Sequence, residues 1–393
     1  MALGRATRPS SSAFYDGGSF AGRGIGAIVS ERGVDAHGQM RRYLSHIFSD
    51  LSLSEQEDII ARTMDVWVES LLEKGPREEG FEMGKSFEMM KFDIIGKLAF
   101  GETFGGIETG ALADAMKRFP TLARLAKPLL RRKIWELTED TRKNEDFAID
   151  LINRRIRRGE SSRKYFMTRI LQKRDPAQVS DLQLTAHTSD FSLAGSETTG
   201  TALSAIMYYL LRTPKAMSKL QSEIRGSFET YSEIDSRSTL GLSYLEGVIL
   251  EGLRIYPPLP LALPRVGPNG GDTVDGHVLP SGFSGSPVVI VSTHPIAASL
   301  SPTNFKDPQA FKPERWLSKN QTDMQEASQP FSLGTRGCMG RKYLLEMLTT
   351  LAKVLWKYDL ELVNTLLDWQ RDSEMHTLWR EPALWVRVRE RTA

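Results

Sequence analysis

The chain has 393 residues, with 51 Lys and Arg against 49 Asp and Glu and a net charge of +2. So even a balance supplies no basic field for nucleic acid. Hydrophobic residues at 40% and charged residues at 25% exclude wholesale disorder. Cys338 is the single cysteine, which excludes an internal disulfide and any Cys-pair metal site, so thiol chemistry has to run through that residue.

Met1 to Ser12 carries Arg5 and Arg8 but no apolar run of the secretory kind. The longest apolar run, Ala205 to Leu211, is far below the ~20 residues a helix needs to cross a bilayer, so a soluble or peripheral chain is expected. Gly17 to Gly26 is Gly/Ser-rich, a poor place for a core. Gly22-Arg23-Gly24-Ile25-Gly26 within it lacks the spacing, preceding strand and downstream acid of a dinucleotide fingerprint. With no Walker-type loop either, a redox protein of this sequence would take its electrons from outside.

From Met40 to Leu211 the apolar residues recur by threes and fours, as at Met40, Leu44, Ile47 and Phe48, which predicts helices. Arg131 to Arg158 interleaves acids with bases and predicts an exposed helix rather than a nucleic-acid patch. A long helix is predicted from a Ser180/Asp181 cap to Arg212, stopped before Pro214. Ala194-Gly195-Ser196-Glu197-Thr198-Thr199-Gly200 lies in it, and each glycine there costs about 1 kcal/mol of helix propensity. Either a functional gap or a close helix crossing explains that cost. Glu251 and Arg254, three apart before Pro257, share a helix face and can pair. Beyond Pro257 the texture turns to Pro/Gly turns and short β-prone runs, Thr273 to Leu279 and Pro287 to Ser292. A last helix is predicted from Met339 to Lys357, with Leu344, Leu348, Leu351 and Leu355 on one stripe.

Just before that helix stands Phe331-Ser332-Leu333-Gly334-Thr335-Arg336-Gly337-Cys338-Met339-Gly340. A cysteine at a helix N-terminus meets free N–H groups and the positive end of the dipole, which favour a thiolate, a soft anionic ligand. The glycines let backbone approach a flat cofactor, and Arg336 offers a fork suited to a carboxylate. Two other readings of Cys338 are a small buried hydrophobe, which leaves the glycines and Arg336 unexplained, and a hydrolase nucleophile partnered by one of six histidines.

Phe331, Gly334, Arg336, Cys338 and Gly340 match, residue for residue, the haem-binding loop of the cytochrome P450 family, and the chain most resembles fungal secondary-metabolism members. The resemblance implies a mainly α fold with small β-sheets. Behind a loosely ordered segment 1–32 it implies one domain over 33–393: helix-rich 37–256, β/loop-rich 257–330, cysteine loop and final helix 331–358, and a C-terminal β hairpin 359–393. It implies haem b with the Cys338 thiolate as axial iron ligand, and Arg336, Arg265, His37, Arg41, Phe331 and Gly340 as cofactor-binding residues. Glu197 and Thr198 become the catalytic pair that organises water and delivers protons during O–O cleavage. Leu261, Ala262 and Leu263 would face the substrate, while Glu251, Arg254 and Arg315 form a structural network.

The implied reaction inserts one atom of O2 into an apolar organic substrate, with electrons from NADPH-cytochrome P450 reductase, no nucleic acid, and a monomer on the cytosolic face of the endoplasmic reticulum. Rival expectations are a haem-thiolate isomerase or dehydratase, which retention of Glu197 and Thr198 opposes, and a catalytically impaired truncated remnant. The remnant is motivated by two departures. The resemblance implies that the chain begins after an anchor helix, a proline-rich hinge and the first strands, and that the stretch from Gly101-Glu102-Thr103-Phe104-Gly105 to Phe119 is short. Asn320-Gln321-Thr322 fits a glycosylation acceptor by chance.

Overall fold

The computed structural model describes residues 13–17, 20, 23–74, 78–100, 131–157, 166–175, 178–267, 270–274, 276–280, 289–317 and 322–391. The expectations for 1–12, for the stretch after Gly101 and for Asn320 and Gln321 lie outside them. The helices are α1 (Val34–Ser45), α2 (Asp50–Lys74), α3 (Met83–Phe100), α4 (Arg131–Arg157) and α5 (Phe166–Lys173). They continue as α6 (Asp181–Arg212), α7 (Pro214–Ser227), α8 (Ser243–Ile255), α9 (Pro295–Ser299) and α10 (Leu344–Lys357). Strands are short and antiparallel: β1 (Phe81–Glu82), β2 (Arg265–Val266), β3 (Asp272–Val274), β4 (His277–Leu279), β5 (Ile290–Val291), β6 (Tyr358–Leu362), β7 (Glu374–Met375), β8 (Trp379–Arg380) and β9 (Trp385–Glu390). The expected fold class, mainly α with small β-sheets, is the one observed.

Two compact units emerge, the first of residues 1–55, 95–194 and 263–292, the second of 56–94, 195–262 and 293–393. In the first, α4 is amphipathic rather than simply exposed: Ala148, Leu151, Ile152 and Arg155 are buried while Asp146 and Asp150 face solvent. The Gly/Ser-rich entry does contribute to a core, because Phe20 packs with Ala27, Ala148 and Ala186. Its N–H donates to Glu145 Oε1 at 3.0 Å, and Arg23 reaches Glu145 and Asp146, so α4 supplies the order that the local sequence lacks. Buried His187 on α6 accepts from the Ile28 N–H through Nδ1 at 3.0 Å, so its proton resides on Nε2 and is donated to Tyr43 Oη. Burial pushes this imidazole down to about 4, which keeps it neutral. The predicted β runs form the β3–β4 hairpin and the β2–β5 pair.

In the second unit, Leu203, Ile206, Met207 and Leu210 of α6 are fully buried, as are Leu245, Val248 and Ile249 of α8 and Leu351 and Leu355 of α10. β9 lies between β1 and β6. Glycines set two helix crossings. A Cβ on Gly252 would stand 2.1 Å from Ile206 Cγ1, and one on Gly200 would stand 2.9 Å from Glu88 Cγ. α6 starts at the expected cap, with Ser180 Oγ accepting from the Gln183 N–H at 3.1 Å, and runs as continuous helix through Gly195 and Gly200. At Gly200 the close helix crossing is thus the explanation for the glycine. The expected helix from Met339 divides into a 3-10 segment, Met339–Tyr343, and α10. A helix start lacks i−4 carbonyl partners, and i→i+3 bonding is the common way to tighten that turn.

Candidate active site

Cys338 occupies the N-cap of the Met339–Tyr343 segment, in extended backbone at φ −56° and ψ 127°. Its side chain is exposed and joined in no disulfide. The Cys338 N–H donates to the Phe331 carbonyl at 2.7 Å, closing the loop on itself. Closure requires left-handed backbone at Ser332 (φ 54°) and Gly334 (φ 73°), a conformation open to glycine without strain. A Cβ on Gly340 would stand 3.8 Å from Cys338 Sγ, so glycine leaves the sulfur's flank clear. An exposed thiol at the N-terminus of a helical run is the donor that an iron-thiolate bond calls for, and these residues fit a haem. Phe331, Arg336 and Gly340 are half-buried in the same loop, with Arg336 two residues before the cysteine.

The chain entering this loop is anchored by a buried ionic network. Arg254 donates from Nε and Nη2 to both Glu251 oxygens at 2.8 Å, and Arg315 Nε approaches Glu251 Oε2 at 3.0 Å. Trp316 Nε1 and the Lys312 N–H also donate to Glu251, and Arg315 pairs with Asp323. The Glu-x-x-Arg pair and Arg315 therefore meet as expected. Trp316, Lys312 and Asp323 complete the set, and no spacing in the sequence signals them.

Glu197 and Thr198 lie adjacent and half-buried on α6 in the second unit. Burial, reinforced by the charge of Glu88, pushes the Glu197 carboxyl up to about 7, so near neutral pH it is shared between acid and carboxylate where an ordinary glutamate is all carboxylate. The other expected cofactor residues belong to the first unit. His37 is buried and Arg41 half-buried one turn apart on α1. Arg265 starts β2 and donates to Tyr15 Oη at 2.5 Å and to the Pro264 carbonyl at 3.0 Å. Tyr15 was not singled out from the sequence, since a lone tyrosine ahead of a Gly/Ser-rich stretch carries no motif. Glu88 escaped for the same reason.

Against known proteins, the sequence model described as Cytochrome P450 matches residues 6–384. Cytochrome P450 monooxygenase ORF11 of Penicillium roqueforti is 46% identical over 372 residues, covering 90% of this chain and 76% of that protein. Cytochrome P450 monooxygenase BipB of Cochliobolus sativus is 40% identical over 401 residues, covering 96% and 78%. A trichothecene C-4 hydroxylase of Trichoderma arundinaceum is 36% identical, covering 91% and 75%. The crystal structure of the cytochrome P450DA haem domain superposes with a TM-score of 0.77 at 20% identity, covering 93% of this chain and 80% of that one. With the cysteine loop formed, the fold shared and the family model matched over residues 6–384, the chain belongs to the cytochrome P450 family of haem-dependent monooxygenases.

Proposed function

We propose that residues 33–393 form the catalytic domain of a haem-thiolate monooxygenase that inserts one atom of O2 into an apolar organic substrate of fungal secondary metabolism. The observation that carries this reading is the exposed Cys338 thiol at the N-cap of the Met339–Tyr343 segment, in a loop closed by the bond to Phe331. Haem b, when bound, supplies the iron at which O2 is activated. Cys338 holds its thiolate toward that iron, favoured by the free N–H groups of the helical start. Arg336, Arg265, His37 and Arg41 would take the two propionate carboxylates, with Phe331 and Gly340 shaping the sulfur's surroundings. Glu197, with its carboxyl raised to about 7, can both hold a proton and give it up near neutral pH, and passes it on beside the Thr198 hydroxyl. Leu261, Ala262 and Leu263 offer apolar contact that excludes water from the substrate.

Electrons come from NADPH-cytochrome P450 reductase acting on a monomer at the cytosolic face of the endoplasmic reticulum. Among the described residues no helix is long and apolar enough to cross a membrane. A reduced-plus-carbon-monoxide difference spectrum tests the ligand. A thiolate-type Soret band that Cys338→Ser abolishes is expected, followed by NADPH-dependent product with added reductase. A wild-type spectrum without that band, or with a band that survives Cys338→Ser, overturns the assignment.

A further inference from the structure

Along α6, Glu197, Gly200, Thr201 and Ser204 recur at intervals that bring them to one face of the helix. α3 is seated on that face. A Cβ on Gly84 would stand 3.2 Å from Ser204 Oγ, and one on Gly200 would stand 2.9 Å from Glu88 Cγ and 3.2 Å from its Cα. So the first turn of α3 touches α6 at Ser204 and the second touches it at Gly200, three residues past Glu197. Glu82 fixes that start, accepting from the Gly84 and Lys85 N–H groups at 3.0 and 2.5 Å and from the Leu384 N–H at 3.0 Å. The last bond draws in the chain segment that carries Glu381. Its carboxyl hydrogen-bonds with the Thr201 and Ser204 hydroxyls, and its Oε2 is buried without any hydrogen-bond partner. A buried carboxylate oxygen left so would be costly, whereas a carboxylic acid there is not.

We propose that Glu88 is a proton-relay residue that resupplies Glu197, with Glu381 behind it as the reserve. This rests on the reading of Glu197 as the proton-holding group of the oxygen chemistry. When Glu197 gives up its carboxyl proton it becomes a carboxylate. The Glu381 acid passes its proton to the Glu88 carboxylate, and Glu88 hands that proton on to Glu197 and returns to its charged form. A proton from water at the exposed Lys85 end of α3 restores Glu381. One proton enters for each that leaves, and no electron moves.

The groups facing this line are Glu82 on β1, Lys85 and Glu88 on α3, Glu197 on α6 and Glu381. Burial is the first cause that raises all three relay acids, and the charge of Glu88 acts on both Glu197 and Glu381, which makes it the middle member. Burial and that charge push Glu381 up to about 8 and Glu197 up to about 7, so Glu381 still holds its proton where Glu197 has lost its own, and the uphill transfer to Glu197 is drawn by the proton that Glu197 hands on.

The test uses the haem-loaded full chain with 13C-carboxyl glutamate, titrated by infrared spectroscopy, the Glu197 signal being identified by its loss in Glu197→Gln. Glu88→Gln is expected to move the Glu197 titration to lower pH and Glu381 with it, while the carbon-monoxide band stays that of the wild type. In turnover the same variant should release more H2O2 and form about tenfold less product per NADPH, short of the 10²–10⁴ that the acid–base group itself contributes, because Glu88 acts through Glu197. Glu88→Asp should recover both readouts, and Glu381→Gln should slow turnover with the carbon-monoxide band unchanged. An unchanged Glu197 titration in Glu88→Gln, or Glu88→Asp behaving like Glu88→Gln, overturns the relay. A chain that shows the thiolate band but makes no product sinks the monooxygenase reading instead, and the carboxyl titration still decides the Glu88 link.

Discussion

Arg254 lays its guanidinium flat against Glu251, Nε to one carboxylate oxygen and Nη2 to the other, both at 2.8 Å and both side chains fully buried. The remaining Nη1 donates to the Ser299 and Pro308 carbonyls, so one arginine ties α8 to the chain that runs on toward Cys338. Removing one member of such a pair leaves an uncompensated buried charge, a loss of about 3–5 kcal/mol. Arg254→Ala and Glu251→Ala are expected to lower thermal stability and haem retention together. Measured unfolding midpoints with haem content would check this, and a variant that keeps both would show that the network is dispensable.

The crossing of α8 over α6 leaves no room for a side chain at Gly252, where a Cβ would fall 2.1 Å from Ile206 Cγ1. Gly252→Ala should therefore destabilise by about 1–3 kcal/mol, the usual cost of overpacking, despite alanine's better helix propensity. Ile206→Ala in the same chain should recover part of that loss. Denaturant midpoints of the two singles and the double give the coupling, and strictly additive losses would place the clash elsewhere.

How far the sequence carries the fold and the site depends on the length scale of each interaction. Helix α6 was legible because its cap, its period and Pro214 are local signals. The cysteine loop was legible because its residues are contiguous, and Glu251 with Arg254 because they stand one turn apart. Glu88, Glu381 and Tyr15 were not, since each acquires its partner only when distant segments pack. The burial of Phe20 was missed likewise, for its order comes from Glu145 on α4, 125 residues away. Gly200 belongs between these cases: the cost of a mid-helix glycine was visible, but the Glu88 backbone that explains it was not.

The raised carboxyl of Glu197 fixes the sign of a pH effect. A glutamate at about 7 in the folded chain against 4.5 in the unfolded one binds more protons when folded across that window. Stability therefore falls as pH rises from about 4.5 to 7, and the full cost is present above 7. Glu197→Gln removes that cost. The variant should unfold at a higher temperature than wild type at pH 8, with the gain shrinking toward pH 5. Calorimetry at the two pH values checks it, and an equal gain at both would mean that Glu197 does not titrate in this range.

Lys91 on α3 and Glu346 on α10 form an ion pair in the interior of the second unit, with the Lys91 ammonium 5.7 Å from the Tyr343 ring centroid. Glu346 Oε1 is buried without a hydrogen-bond partner, so the pair is imperfectly satisfied. Burial pushes Lys91 down to about 7, close enough to neutrality that it can shed its proton when left alone. An isolated buried glutamate has no such cheap escape at pH 8, because it would have to take up a proton several pH units above the ordinary carboxylate value of about 4.3. The two single variants should therefore differ. Lys91→Met is expected to cost about 3–5 kcal/mol, Glu346→Leu distinctly less, and the double variant little or nothing, since an apolar pair of similar volume escapes desolvation altogether. Urea midpoints at pH 8 decide the order, and a Glu346→Leu loss equal to or greater than that of Lys91→Met would mean that the lysine stays charged in the folded chain.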